Sequence, residues 1–76
     1  MSTSEFKTML VTARVRAGQT KVDVAQRAGV TRQTITVWEA GGLPAPAAVP
    51  RIADAYGLPA SLVREAYLAA VRETLS

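Results

Sequence analysis

The sequence predicts an all-α domain of five short helices, and three observations lead to that prediction. Apolar residues recur at three- and four-residue spacing in five stretches, which is the period of one buried helix face. Serine or threonine precedes the first three stretches as a helix N-cap would, and glycine follows most of them as a helix terminator. With 76 residues, 49% of them hydrophobic, the chain is expected to form one compact domain over residues 1–76.

The first helix is expected to begin near Thr3 and to end before Gly18. Ser2 and Glu5 have the spacing of a capping box, in which side chains bind the free backbone N–H groups of a helix start. Glycine ends the helix because it adopts the left-handed backbone conformation without a Cβ clash. The predicted buried stripe comprises Phe6, Met9, Leu10, Ala13 and Ala17.

A second helix is expected between Thr20 and Gly29. Thr20 and Asp23 make another capping box, and the carboxylate also suits the positive end of the helix. Gly29 then interrupts the helical pattern. The candidate core positions are Val22, Val24, Ala25 and Ala28, of which the last three share a face.

A third helix is expected from its N-cap, Thr31, to about Ala40. The β-branched residues at positions 34–37 would also suit a strand, but the caps and the neighbouring helices favour a helix. The second and third helices together predict a helix-turn-helix at about residues 20–40. The inward residues are expected to be Ile35 and Trp38, and the outward ones Arg32, Gln33, Thr36 and Val37.

A loop at residues 41–46 is expected to precede two more helices. Pro50 is placed in the first turn of the fourth helix, where its missing N–H is tolerated, and Gly57 ends that helix. The fifth helix follows Pro59 and is expected at about residues 60–74. The predicted inward residues are Ile52, Ala53 and Tyr56, then Leu62, Val63, Ala66, Tyr67, Ala70 and Val71.

Composition excludes several classes of function. The chain contains no cysteine and no histidine, which removes thiolate metal sites, the commonest metal ligand and the usual general base. Its six scattered carboxylates form no catalytic pattern, so we expect neither an enzyme nor a cofactor nor a metal ion. Because no membrane helix or signal peptide is recognisable, the expected location is the cytoplasm, on the nucleoid or in a host cell if the gene is viral.

The charge distribution favours a polyanionic partner for the first two thirds of the chain. The net charge is +3, with seven basic and three acidic residues up to Arg51 and two basic and three acidic residues after it. Positive charge therefore accompanies the helix-turn-helix. A helix that begins with exposed hydrogen-bonding side chains and is braced by an earlier helix fits the major groove of DNA.

The segment from Gly18 to Gly41 resembles the helix-turn-helix of the Cro and phage-repressor family, the lambda-repressor-like or xenobiotic-response-element type. A weaker likeness extends over the first helix. The likeness continues over residues 49–58, which look like the fourth helix of lambdoid phage repressors, so that it covers roughly residues 5–65. A bare helix-turn-helix pattern is unspecific, but here a frame of five helices surrounds it. The matching residues are Ala25, Gly29, Val30, Thr31, Ile35, Trp38, Glu39 and Gly41.

The resemblance implies that the third helix lies in the major groove while the second crosses the phosphate backbone. Side-chain chemistry supports these roles, since Arg32 suits the O6/N7 edge of guanine and Gln33 suits adenine. Val37 suits a thymine methyl group. The alternative is that these side chains are exposed to solvent and contact no DNA. Phosphate contacts are expected from Lys21, Thr31, Thr34, Thr36 and Arg51.

The resemblance also implies a structural ion pair. In this family an arginine of the first helix often pairs with the glutamate that ends the recognition helix, and Arg14 and Glu39 occupy the matching positions. The expected pair is partly buried and orients the recognition helix without touching bases.

The expected function is that of a sequence-specific transcriptional regulator, a Cro-like or phage-type repressor on a palindromic operator in double-stranded DNA. Two copies about 34 Å apart would read successive major grooves as a homodimer, formed at least on DNA. The alternative is a protein-interaction module, an antitoxin or transcription-factor adaptor, with the fifth helix as its partner surface. The candidate dimer surface comprises Tyr67, Leu68, Val71 and Leu75, although Tyr67 and Val71 suit the intramolecular core at least as well.

Overall fold

A computed structural model of the protein describes residues 3–75. Within this range the secondary structure is entirely helical, so the predicted all-α fold of five helices is confirmed. The capping pattern at Ser2 lies outside the described residues, and no helix among those described is long and apolar enough to cross a membrane. The helices are α1 (Thr3–Arg16), α2 (Lys21–Ala28), α3 (Arg32–Glu39), α4 (Val49–Tyr56) and α5 (Ala60–Leu75).

The segment between α3 and α4 contains one element that the sequence did not predict. A single turn of 3-10 helix spans Pro46–Ala48, inside and just beyond the predicted loop. It leads directly into α4, whose first turn holds Pro50 as expected. The residues without helical structure are therefore 40–45, and the chain is helical from Pro46 onward to the end of α4.

All five helices contribute to one core. α1 packs against α5, α2 packs against both α3 and α4, and α4 also packs against α5. Burial of this apolar surface is the main source of stability in a small domain. The largest fully buried side chains are Phe6, Leu10, Val24, Ile35, Ile52 and Val63.

The turn between α2 and α3 depends on Gly29. This residue has φ +71°, in the left-handed region that glycine adopts readily. The following N–H, of Val30, donates to the carbonyl of Ala25 at 3.0 Å and closes the end of α2. The turn is therefore short: three residues, 29–31, separate the end of α2 from the start of α3 at Arg32.

Three predicted core positions are wrong. Ala17 is exposed because α1 ends at Arg16, one residue earlier. Val22 is 45% exposed because it lies off the face of α2 that carries the buried residues. Leu62 is 46% exposed because the buried face of α5 passes through the next residue, Val63.

Candidate nucleic-acid interface

The helix α3 has one buried face and one exposed face. Ile35 is fully buried and Trp38 is 6% exposed, so these two side chains anchor the helix in the core. The opposite side carries the four residues expected there, and that prediction is confirmed. The exposed residues are Arg32, Gln33, Thr36 and Val37.

The N-terminus of α3 is organised by two threonines. Thr31 Oγ1 accepts a hydrogen bond from the backbone N–H of Thr34 at 3.2 Å, which is the expected N-cap. The two hydroxyl oxygens also lie 3.0 Å apart and share a hydrogen bond. Since the mutual bond uses one of the two hydroxyl protons, the other remains free to donate to an oxygen outside the protein.

Lys21 joins the two helices of the helix-turn-helix on their exposed side. Its Nζ donates to Thr36 Oγ1 at 3.4 Å, so an ammonium group from the start of α2 lies beside the middle of α3. An ammonium has three N–H donors, and two are left for another acceptor. The structure therefore brings Lys21 together with the exposed face of α3, whereas Arg51 is exposed on α4.

The start of α2 has the predicted capping box. The N–H of Asp23 donates to Thr20 Oγ1 at 3.1 Å, and the N–H of Thr20 donates to Asp23 Oδ2 at 2.9 Å. The backbone N–H of Thr20, then its hydroxyl and the charge of Arg27 hold the pKa of the Asp23 carboxyl below its ordinary value. The ionised carboxylate thus stabilises the folded state.

Asp23→Ala is expected to destabilise the protein at neutral pH and to lose this effect in acid. The folded-state pKa of Asp23 is lowered, so its contribution is fully present above the ordinary value of 3.8 and disappears as the pH falls through the lower folded-state value. Urea unfolding of both proteins, followed by circular dichroism at about pH 7 and about pH 2, measures the difference. A difference in unfolding free energy that does not change with pH would contradict this assignment.

Arg14 and Glu39 form the ion pair that the resemblance implied. Arg14 Nε lies 2.9 Å from Glu39 Oε2 and Arg14 Nη2 lies 3.0 Å from Oε1, a bidentate arrangement. The two side chains are only 16% and 4% exposed. A third guanidinium N–H donates to the carbonyl of Gln19 at 3.1 Å and so connects the ion pair to the turn before α2. The hydrogen bond to Glu39 raises the pKa of Arg14, so the guanidinium keeps its positive charge.

Tyr56 completes this group, and sequence reasoning missed it. Its hydroxyl donates to Glu39 Oε2 at 2.9 Å from the last residue of α4. Burial, followed by the hydrogen bond to the carboxylate, raises the pKa of Tyr56 well above its ordinary value. A signal for the contact was present, because a buried tyrosine hydroxyl requires a polar partner and Glu39 was expected to be partly buried. We call Arg14, Glu39 and Tyr56 the buried network.

The backbone of Gly42 packs directly against Val37. The N–H of Gly42 donates to the carbonyl of Val37 at 2.9 Å. A Cβ at position 42 would lie 2.5 Å from Val37 Cγ1, which is closer than such atoms approach, and 3.1 Å from its carbonyl oxygen, which is a tight contact. The absence of a side chain at Gly42 therefore allows the observed position of Val37, which is 50% exposed.

Gly42→Ala is expected to destabilise the protein by about 1–3 kcal/mol, because the new methyl group overpacks this contact. Val37→Ala removes Cγ1 and part of the clash. The double variant is therefore expected to be more stable than the sum of the two single effects, which urea unfolding of all four proteins measures. Additive effects would mean that the methyl group does not meet Val37.

The candidate dimer surface is corrected at one residue. Tyr67 is 7% exposed, its hydroxyl donates to the carbonyl of Pro44 at 2.9 Å, and its ring lies edge-on to Phe6. It belongs to the core because its hydroxyl finds a partner inside the protein. Val71 is half-buried against the core. The exposed members of the set are Leu68, at 45%, and Leu75, at 81%.

A comparison with protein families identifies a helix-turn-helix family. A model described as a helix-turn-helix domain matches residues 9–66. The chain belongs to this helix-turn-helix family. The match spans most of the chain, and the predicted resemblance to the Cro and phage-repressor type is confirmed.

Membership of the helix-turn-helix family indicates DNA binding and transcriptional regulation, and domains of this family are typically not enzymes. Comparisons with curated proteins and with solved structures find no match.

Proposed function

We propose that the protein is a sequence-specific transcriptional regulator that reads operator DNA with the exposed face of α3. The observation that carries this proposal is the division of α3 into two faces. Ile35 and Trp38 fix the helix in the core, while Arg32 and Gln33 project from its N-terminal end. Recognition helices of this kind contact base edges with their N-terminal residues.

Each exposed side chain has a role that its chemistry supports. Arg32 donates two hydrogen bonds to guanine, Gln33 pairs with adenine, and Val37 contacts a thymine methyl group. Lys21 binds a backbone phosphate with the donors that Thr36 leaves free. The remaining phosphate contacts come from Thr36 itself, the free hydroxyl proton of the Thr31 and Thr34 pair, and Arg51.

The regulator binds a palindromic operator as a homodimer and represses by blocking polymerase. One recognition helix reads only a few base pairs, and two copies about 34 Å apart contact successive major grooves on one side of the duplex. Leu68 and Leu75 are exposed on α5. Their exposure supports α5 as the surface through which two copies meet.

A second candidate is a protein-interaction module, which one observation favours. The beginning of α4 and the middle of α5 border an apolar depression of about 220 Å³. Such a depression suits the apolar side chain of a protein partner. The lining residues are Pro46, Val49, Pro50, Arg64, Tyr67 and Leu68.

Selection of binding sites from random duplex DNA tests the proposal. The wild type is expected to enrich a short, roughly palindromic motif. Arg32→Ala should relax the preference at a G·C position, since a bidentate contact discriminates by about 1–3 kcal/mol. Arg16→Ala removes an exposed arginine from the end of α1, outside both α3 and α5, and serves as the matched control, with an unchanged motif.

One outcome of the selection would contradict the proposal. If nothing is enriched and all three proteins bind DNA equally weakly, with binding that salt abolishes, the attraction is that of any basic protein for phosphate. The proposal would then be wrong, and a protein partner on α5 would be the better account.

A further inference from the structure

We infer that Tyr56 is a positioning residue for the recognition helix: its hydroxyl fixes the carboxylate that ends α3 and thereby sets the angle at which α3 presents its base-reading side chains. The inference rests on the proposed function for its consequence in DNA recognition. Its structural part concerns the free protein and is testable without DNA.

The buried network joins three helices at one carboxylate. Glu39 is the last residue of α3 and receives hydrogen bonds from Arg14 on α1 and Tyr56 on α4. The helix α3 packs mainly against α1 and α2. The bond from Tyr56, at 2.9 Å, therefore connects α3 to a helix that otherwise supports it little.

The two donors restrain different movements of Glu39. The guanidinium of Arg14 is planar and binds both carboxylate oxygens, so it fixes the carboxylate in the guanidinium plane. The hydroxyl of Tyr56 binds Oε2 from the side of α4. Without it, the carboxylate of Glu39 is restrained only from the side of α1, by Arg14, which the carbonyl of Gln19 also holds. Burial keeps the hydroxyl protonated, since the pKa of Tyr56 is raised, and it therefore remains a donor.

A small tilt of α3 about Glu39 produces a large displacement at the N-terminal end of the helix, where Arg32 lies. The helix has eight residues and is about 12 Å long, so a tilt of about 5° at Glu39 moves Arg32 by about 1 Å. Hydrogen bonds to base edges tolerate a range of only about 0.5 Å in length. Base discrimination is therefore expected to suffer more than the attraction between basic side chains and phosphates.

The chain offers a matched control for the loss of a buried hydroxyl. Tyr67 also donates a hydrogen bond of 2.9 Å, but its acceptor is the carbonyl of Pro44 and its helix is α5. Both tyrosines are nearly buried, at 3% exposure for Tyr56 and 7% for Tyr67. Tyr56→Phe and Tyr67→Phe therefore make the same chemical change, and only the first removes a bond to α3.

The experiment compares the two variants with the wild type in two measurements. Residual dipolar couplings of the free proteins report the orientation of α3 relative to α1 and α5. Dissociation constants for the selected operator, and for duplexes altered at the base pairs opposite Arg32 and Gln33, report discrimination. Both are measured at a temperature at which circular dichroism shows each variant to be folded.

Tyr56→Phe is expected to reorient α3 in the free protein and to lower the discrimination ratio about threefold to tenfold, part of the full value of a bidentate contact. Tyr67→Phe should leave both readouts at their wild-type values. An unchanged α3 orientation in Tyr56→Phe, or equal effects of the two variants, would overturn the inference. A wild type without base discrimination would overturn the proposed function instead, because the couplings test positioning separately.

Discussion

Glu39→Ala is expected to lower the free energy of unfolding by about 3 kcal/mol. Removing one member of a buried ion pair costs about 3–5 kcal/mol because the other charge stays buried without a partner. The lower end applies here because Arg14 keeps 16% exposure to water. The variant also leaves the hydroxyl of Tyr56 without its acceptor.

Urea unfolding followed by circular dichroism measures this loss, with Glu65→Ala as the control. Glu65 is exposed on α5, and surface substitutions of that kind usually change stability by less than about 0.5 kcal/mol. Glu39→Gln keeps the shape of the side chain and is expected to lie between the two. Equal, small losses in Glu39→Ala and Glu65→Ala would show that the buried network does not support the fold.

Trp38→Ala is expected to destabilise the protein by about 3–5 kcal/mol, the usual range for a large aromatic side chain removed from a core. Trp38 is 6% exposed and is one of the two buried anchors of α3, with Ile35. Its loss opens a cavity directly beneath the recognition helix. Small domains have little stability in reserve, so the variant is expected to be largely unfolded at 37 °C.

Trp38→Phe is the comparison for this prediction. Phenylalanine fills much of the same space and should recover a large part of the lost stability, because the cost of such a change depends on the cavity that remains. Thermal unfolding by circular dichroism ranks the three proteins. If Trp38→Ala unfolds at nearly the wild-type temperature, the indole is not a structural anchor.

The five-helix fold was predictable because its signals are local. The N-caps at Thr20 and Thr31 and the left-handed glycine at position 29 each act within one helical turn, so the sequence alone reveals them. The inward direction of Ile35 and Trp38 followed from their spacing. The remaining positions of α3 then face outward, so the candidate interface is recognisable from the sequence alone.

What the sequence left open depends on contacts between distant segments. The bond from Tyr56 to Glu39 joins residues 17 positions apart. Gly42 and Val37 are near in sequence, but their close approach depends on the path of the loop after α3, which the packing of the other helices determines. The placement of Tyr67 was ambiguous because a tyrosine on the apolar face of an amphipathic helix suits either a core or a dimer surface. The partner of its hydroxyl, the carbonyl of Pro44, decided it.

The central claim is that the exposed face of α3 contacts DNA, and amide chemical-shift mapping on the selected duplex tests it most directly. The predicted result is that the largest shift changes occur in residues 31–37 and at Lys21, while changes on α5 are smaller and confined to the proposed dimer surface around Leu68 and Leu75. Changes concentrated around Leu68 on α5, with the amides of Arg32 and Gln33 unaffected, would contradict the claim.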